Sequence, residues 1–417
     1  MQLDFHYYGT YCAAMIAGYS HEESVQVAYC AQFVDCCSGT FLAKIGGPAA
    51  AATTQLQLEL MDANTDPVGL QNITRIWASF HFLPNNLYSE RKGCSKRYLR
   101  KYRLLCDVNS ELLPDTVELA RGKGPEAAGL AMHVLADTWA HRYFAGTPSL
   151  VINNTNYHFT EIVPAEDGFT ERPVRFNHNP TAPDDLETGV FVNTVYQGSE
   201  HSVMNLGHGR AGHLPDYSFA RYRYMPAWAE YREIIKDNPS DYMHAFQQMV
   251  YALQCLKDGV LFQLDQYAAE AVRPWEDKIR EILEKRQMDA CADWKSFGEQ
   301  LSGCEIPDFS DEAYVEEYMA AGPEEKDDTF LGRFILAALA QKSMVTNRIY
   351  SSGSPLAGIS VDFGKEGFRG IRDFRRLVTA RSRTVGPAPE AGMLRSAGQE
   401  QEAARAEDRN REEAAHD

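Results

Sequence analysis

The stretch PEAAGLAMHVLADTWAHRYF, residues 125–144, decides how the chain is read. Pro125 suits a first helical turn, where its missing N–H would go unpaired anyway and its fixed φ is already helical. Gly146 and Pro148 close the segment, and the strongest helical pattern of the sequence lies between, so a helix is predicted over Glu126 to Phe144. Steps of four residues drift by only about 40° around a helix of 3.6 residues per turn. His133, Asp137 and His141 therefore share one face with Leu130 and Val134. Two imidazoles and a carboxylate in that register can grip a divalent metal. A partly apolar helix face seldom admits such a set unless something pairs it.

Outward from this helix the pattern stays helical. Phe5 to Ala17 has small and apolar residues at helical spacing and stops at Gly18, which takes the left-handed C′ position without a Cβ clash. Ser20 and Glu23 have capping-box spacing ahead of Val25, Val27, Ala28, Ala31 and Val34, and this second helix continues to Asp35, making a helical hairpin. Residues 40–70 are weakly periodic, and Ile73 to Phe82 is apolar until Pro84 halts it. Helical periodicity returns over Tyr242 to Val272, Trp275 to Arg286, Asp311 to Ala320 and Phe330 to Thr346. Residues 149–227 differ: Asn, Pro, Gly and Asp clusters surround short pieces such as Tyr157 to Val163 and Val190 to Tyr196, a loop-rich excursion with one hairpin at most.

The expected fold class is all-α, a multi-helix bundle. Residues 1–346 form its metal-binding domain, with the excursion at 149–227, a linker or peripheral segment at 347–382 and a disordered tail at 383–417. That tail holds scarcely any large apolar residue to offset the entropy of ordering it. Whether residues 311–346 belong to the metal-bearing part or form a separate interaction module stays open at this level.

The 417 residues are 44% hydrophobic and 24% charged, enough to bury a sizeable core, which excludes disordered, collagen-like and small disulfide-framework classes. With 58 acidic against 41 basic residues the net charge is −17, which repels a phosphate backbone, so no nucleic-acid partner is expected. No apolar run approaches the roughly 20 residues of a membrane span. Asp4 and His6 stand where a signal peptide would be basic and then apolar, so a cytoplasmic location is expected. Nine irregularly spaced cysteines without a CxxC pair point to reduced, mostly buried thiols, the adjacent Cys36 and Cys37 included.

Three residues on one helix do not complete a metal site. The best further donors are His6 on the first helix, Asp35 at the end of the second, His81 in the run Ser79 to Pro84, and the turn Gly207 to Asp216. In that turn three glycines fold the backbone tightly around His208, His213 and Asp216.

In this order, His6, Asp35, His81-Phe82 and His133-x-x-x-Asp137 with later histidines resemble the zinc-dependent phospholipase C and single-strand nuclease superfamily. That superfamily is an all-α fold with a metal cluster drawn from an early His, an Asp, a His in an HF-type turn and an HxxxD helix. More narrowly, Asp4 to Tyr11, Gln32 to Asp35 and His133 to His141 look like an uncharacterised bacterial and fungal family that carries only a domain-of-unknown-function label. This narrower likeness covers most of residues 1–270. The resemblance implies His6, Asp35, His81, His133 and Asp137 as metal ligands, with Asp137 bridging two ions, and His141, His208 and His213 as weaker transfers. Secreted members of the superfamily use the amine of a processed N-terminal tryptophan, whereas here Met1 stands five residues before His6. Their HxxxD motif is followed by a histidine at a longer spacing than Asp137 to His141. His158 and Glu161 are three apart, one short of a later HxxxE motif.

A filled site of this kind implies a hydrolase of phosphoesters acting on a small anionic substrate with one to three divalent ions. Imidazole and carboxylate donors suit zinc, and ligand type alone leaves manganese and iron open. Asp35 or Asp216 would orient the attacking water or take its proton. The basic stretch Arg91 to Arg103, with Tyr98 and Tyr102, either attracts that substrate toward His81 or is a solvated face pairing with the acidic remainder. A rival from another class is a non-catalytic metal-binding structural or interaction protein in which the cluster only holds the helices together. A phosphohydrolase of the His-Asp type ranks last, because the required dipeptide occurs only at His416-Asp417.

Overall fold

The computed structural model describes residues 1–358 and begins in a π-helical turn, Asp4–Gly9, that leads into α1 (Thr10–Ile16). Next come α2 (His21–Phe33), α3 (Pro67–Phe80), α4 (Pro125–Ala140), α5 (Asn238–Asp258), α6 (Cys291–Ser302) and α7 (Phe330–Ser351), with shorter turns between. The capping box at the start of α2 is formed as expected: Ser20 Oγ accepts from Glu23 N, and Glu23 Oε2 accepts from Ser20 N. At α3 the Asp66 side chain caps the first turn, with Pro67 at the first helical position.

Helix α4 is the axis of the molecule, buried from Glu126 to Ala140 and packed by α2, α3, α5 and α7. The approach of α2 depends on Gly129, where an added Cβ would overlap the Val27 carbonyl oxygen and crowd Cys30. Gly129→Val is thus expected to force the two helices apart and to cost about 1–3 kcal/mol of stability or more. Chemical denaturation of the pure variant measures it, and an unchanged midpoint would refute the close-packing account.

The expected boundaries shift where tertiary pairing intervenes. Helix α4 ends at Ala140 with His141 as its C-cap, not at Phe144. Beyond the cap, Tyr143 takes φ 79° and the backbone turns to pair with Cys106, through Cys106 N to Phe144 O at 2.8 Å and Tyr143 N to Cys106 O at 2.7 Å. The helix expected over Tyr242 to Val272 stops at Gly259, which takes the left-handed conformation at φ 68°. Helix α7 runs to Ser351 and packs on α3 and α4. The expected tail at 383–417 and most of the segment 347–382 lie outside the described residues.

The all-α expectation is overturned. The chain is mixed α/β: a four-stranded antiparallel sheet of order β2-β1-β5-β6 and a two-stranded parallel pair, β3-β4, arise from the excursion and the residues just after it. The strands are β1 (Thr160–Ala165), β2 (Gly168–Pro173), β3 (Arg175–Asn177), β4 (Val190–Val192), β5 (Arg221–Tyr224) and β6 (Ile234–Asp237). Each strand is too short for period-2 patterning to stand out from turn-rich surroundings, and β5 and β6 pair across a ten-residue spacing set only by the folded chain. In β5 the alternation is real: Tyr222 and Tyr224 are fully buried, while Arg221 and Arg223 face outward.

This sheet closes a second core. Tyr222, Tyr224, Phe159, Phe191 and Tyr217 pack with Phe82, Phe144, Ala211 and Leu214. The apolar contact clamps the Gly207–Asp216 turn against the ends of α3 and α4, so the strands position a site whose other parts are helical. No helix among the described residues is long and apolar enough to cross a membrane. All nine cysteines are free thiols.

Candidate metal centre

His133 and Asp137 lie one turn apart on α4, and His141 caps it, so the predicted face forms. The π-helical turn swings His6 onto this face, its ring stacked on His133 at 3.9 Å between centroids. The turn after α2 brings Asp35, the C-cap of α3 brings His81, and the glycine-rich turn brings His208 and Asp216. Two glycines of that turn have left-handed φ and meet neighbours where a side chain would not fit: Gly207 lies under the Phe82 ring and Gly212 against the Val192 carbonyl.

The donors converge in three overlapping groups: His6 with His133 and Asp137; Asp35 with His81 and His133; His141 with His208 and Asp216. Around Asp137 Oδ2 stand His133 Nε2 at 3.1 Å and His81 Nδ1 at 3.3 Å. Asp35 Oδ1 is 3.7 Å from His81 Nδ1 and 3.9 Å from His133 Nε2. The other oxygen, Asp137 Oδ1, faces His6 Nε2 at 3.2 Å and the Met1 nitrogen at 3.0 Å. Asp216 Oδ1 is 3.1 Å from His141 Nε2 and 3.2 Å from the Met1 nitrogen, and its Oδ2 is 3.6 Å from His208 Nε2. Asp137 thus presents one oxygen to each of two groups.

These separations are compatible with donors around a metal. Bonds of about 2.0–2.1 Å in tetrahedral geometry put neighbouring ligand atoms about 3.3 Å apart. A second observation agrees. The outward nitrogens of four imidazoles donate to backbone carbonyls, which can only accept: His133 Nδ1 to Ala31 at 2.8 Å, His141 Nδ1 to His81 at 2.8 Å, His208 Nδ1 to Gly212 at 2.9 Å and His81 Nε2 to Thr53 at 3.0 Å. Each bond places the proton outside and leaves the inward nitrogen as a lone pair in the neutral ring, the arrangement that orients metal-ligating histidines. At His6 both ring nitrogens are buried without a hydrogen-bond partner, since its 3.2 Å approach to Asp137 lacks hydrogen-bond geometry. A buried imidazole of this kind is costly unless a cation takes up its lone pair.

At two of the rings the electrostatics point the same way. Burial is the main cause that drives His6 and His208 down to about 4, so both rings are neutral at neutral pH, the form that binds metal. At His133 burial opposes the charged form, but Asp137 and Asp35 outweigh it and raise the imidazole. Burial also opposes ionisation of Asp137, yet His141, the Met1 amino group and His133 hold it well below the usual carboxylate range. The Met1 amine is raised to about 11, because Asp137, Asp216 and Asp35 overcome its desolvation. The centre has an inner and an outer side: His6, His133 and Asp137 are fully buried, whereas the Asp35 side chain is 31% exposed and those of His208 and Asp216 are partly so.

Of the predicted residues the structure leaves one apart. His213 turns outward, its Nδ1 bonded to Asp184 Oδ2 at 2.8 Å, while Tyr217 donates to the same oxygen at 2.6 Å. The Asp184 bond raises His213; burial opposes ionisation of Asp184, but the bonds from His213, Tyr217 and Val192 N lower its carboxyl. A raised histidine contributes stability below its unfolded pKa of about 6.5, and that contribution is lost as pH rises through the folded value. The lowered Asp184 contributes above about 4 and loses its share as pH falls below that. The stability difference between wild type and His213→Ala should then be larger at pH 5 than at pH 8, with metal content equal in both. Denaturant titrations at the two pH values with plasma mass spectrometry check this, and a difference independent of pH would remove the pair.

Glu161 is buried against Arg172 and Arg286, far from the role an HxxxE motif would give it. Three of the seven basic side chains in the basic stretch make ion pairs: Arg91 with Glu230, Arg103 with Glu90 and Lys101 with Glu200. Cys36 and Cys37 take no part in the three groups. A cavity of about 360 Å³ between α5 and the helix Glu276–Glu284 holds Arg221 and Arg280 in ion pairs and lies away from the centre. Four contributors had no legible signal, because the carbonyls of Ala31, Thr53, His81 and Gly212 act through the backbone, which carries no residue identity.

Fold and site define a mixed α/β protein with a buried His/Asp centre in which several groups could hold a metal ion. The chain belongs to a family of unknown function, DUF6765, which matches residues 1–349. No curated protein and no solved structure matches it.

Proposed function

We propose that the chain is a metal-dependent hydrolase of phosphoesters, with zinc in the His/Asp centre. The observation that carries this reading is the donor set itself: inward nitrogens locked by carbonyls, donor spacings near those of tetrahedral zinc, and one side left open at Asp35. The resemblance of His6, Asp35, His81-Phe82 and His133-x-x-x-Asp137 to the zinc-dependent phospholipase C and single-strand nuclease superfamily supports the same chemistry, in a fold that here includes a sheet. Divalent ions in such a cluster supply a nucleophile from water at neutral pH and neutralise charge on a phosphoryl group.

The protein's own groups divide the remaining work. Asp137 spans two donor groups through its two oxygens, and His6, His133 and His81 hold it there. Both oxygens of Asp216 turn inward, toward His141 and His208. Asp35 differs: Oδ1 faces the histidines, while Oδ2 meets only the Gln32 amide at 3.5 Å. Oδ2 is therefore the atom placed to accept a proton from the attacking water. The three acidic side chains favour cations, and a phosphoester enters only once ions offset them.

The test is elemental analysis of the purified protein with a p-nitrophenyl phosphodiester assay on the same sample. One to three equivalents of zinc with turnover is expected. Metal without turnover would favour a structural centre, and protein free of metal despite protection from chelators would remove both readings.

A further inference from the structure

Apart from the metal centre, one guanidinium among the described residues is buried without a counterion. Arg210, in the glycine-rich turn, is 3% exposed, and among the described residues no carboxylate lies within ion-pair distance of it. Its Nη2 donates to Asn154 Oδ1 at 3.3 Å, while Nε and Nη1 are buried with no partner. A guanidinium stays protonated at any physiological pH, so it cannot relieve this burial by losing its charge. Every other buried charge described has an opposite charge or a carbonyl at hand, as Lys236 has Asp241 and the Trp139 carbonyl.

The surroundings are aromatic and hydroxyl-bearing. The Tyr196 ring lies 4.5 Å from the Arg210 guanidinium carbon, the Tyr157 hydroxyl stands within hydrogen-bonding reach of the guanidinium, and Tyr231 is close enough to act on its charge. The Asn154 amide donates to the Tyr231 hydroxyl at 2.9 Å, and His178 lies against the Tyr157 ring. Tyr157, Tyr196 and Tyr231 are each about half exposed, at 54%, 51% and 45%. Exposed side chains change rotamer within nanoseconds, so this rim can rearrange around an incoming group.

We infer that Arg210, with Asn154 and the rim of Tyr157, Tyr196 and Tyr231, is a binding site for the phosphate group of a ligand. A planar fork of N–H groups matches a phosphate's oxygens, phenol hydroxyls supply further donors, and the rings offer a stacking surface to an organic group attached to it. The site stands on geometry of its own and does not depend on the hydrolase reading.

Isothermal titration calorimetry of wild type and Arg210→Gln with inorganic phosphate and with phenyl phosphate tests the site, with metal content measured in both proteins. Because a metal-loaded centre would also attract phosphate, Arg210→Gln is expected to show one class of site fewer than wild type at equal metal content, a loss of about tenfold or more in affinity at that class. Tighter binding of phenyl phosphate than of inorganic phosphate would assign the site to a phosphorylated organic ligand, and equal binding would assign it to free phosphate; each supports the site. Unchanged titration in Arg210→Gln overturns it. So does loss of phosphate together with metal, which would reduce Arg210 to a brace of the metal-bearing turn. Should Arg210→Gln not fold, Tyr196→Ala leaves the cation in place and is expected to weaken phenyl phosphate several-fold, an unaltered affinity again overturning the site.

Discussion

Asp137→Asn is expected to lose at least one bound metal ion per chain and to lower stability by about 3–5 kcal/mol. Asp137 is fully buried and is the residue that all the inner donors share, its Oδ1 toward His6 and the Met1 nitrogen and its Oδ2 toward His133 and His81. The substitution keeps the shape of the side chain but replaces one anionic oxygen with an amide, which donates where an acceptor is required. Groups whose charge Asp137 offsets are then left buried without it, the costly half of breaking a buried pair. Plasma mass spectrometry after dialysis reads the metal, and denaturant titration reads the stability. His244→Ala is the control: its ring stacks on Trp139 and bonds to the Ser240 carbonyl, outside the centre, and metal content should not change. Equal metal in wild type and Asp137→Asn would end the case for this centre.

The second large effect concerns turnover. Asp35→Asn is expected to lower kcat by about 10²–10⁴-fold, the range for loss of a general base, while most of the metal is retained. The amide can still present an oxygen to the His81 and His133 group but can no longer accept a proton at Oδ2. Asp216→Asn should behave differently, because both of its oxygens face donor histidines: metal and turnover should fall together. Parallel losses of metal and rate in both variants would show that Asp35 is only a ligand. A rate unchanged in Asp35→Asn would take the proton-accepting role from it.

Much of the centre was legible because helical spacing is local. His133, Asp137 and His141 fall on one face by 3.6-residue arithmetic, and the glycines around His208 mark a backbone that must fold tightly. His6, Asp35, His81 and Asp216 were legible as residue types at element ends, where side chains can turn inward. What failed was discrimination within a turn. His208 and His213 have equal standing in the sequence, and only the packing of Ala211 and Leu214 into the second core decides that His208 faces the His/Asp donor groups while His213 reaches Asp184.

The sheet was missed for a related reason. Strands of three to six residues with one buried face carry a weak signal, and several pair with partners that only the folded chain brings near. Glu161 in β1 shows the limit: it is buried in a strand only because Arg172 and Arg286 reach it from β2 and from beyond the helix Glu276–Glu284.

By itself the amino-acid sequence determined the helices around α4, their caps and the residue types able to bind a metal, since these follow from periodicity and from chemistry within a few residues. Tertiary structure alone decided which donors meet, which ring nitrogen points inward and that a sheet holds the last two in place. Those outcomes depend on contacts that only the folded chain makes, from four positions apart at His208 and Gly212 to more than a hundred at His133 and Ala31, and on backbone carbonyls that every residue has in common.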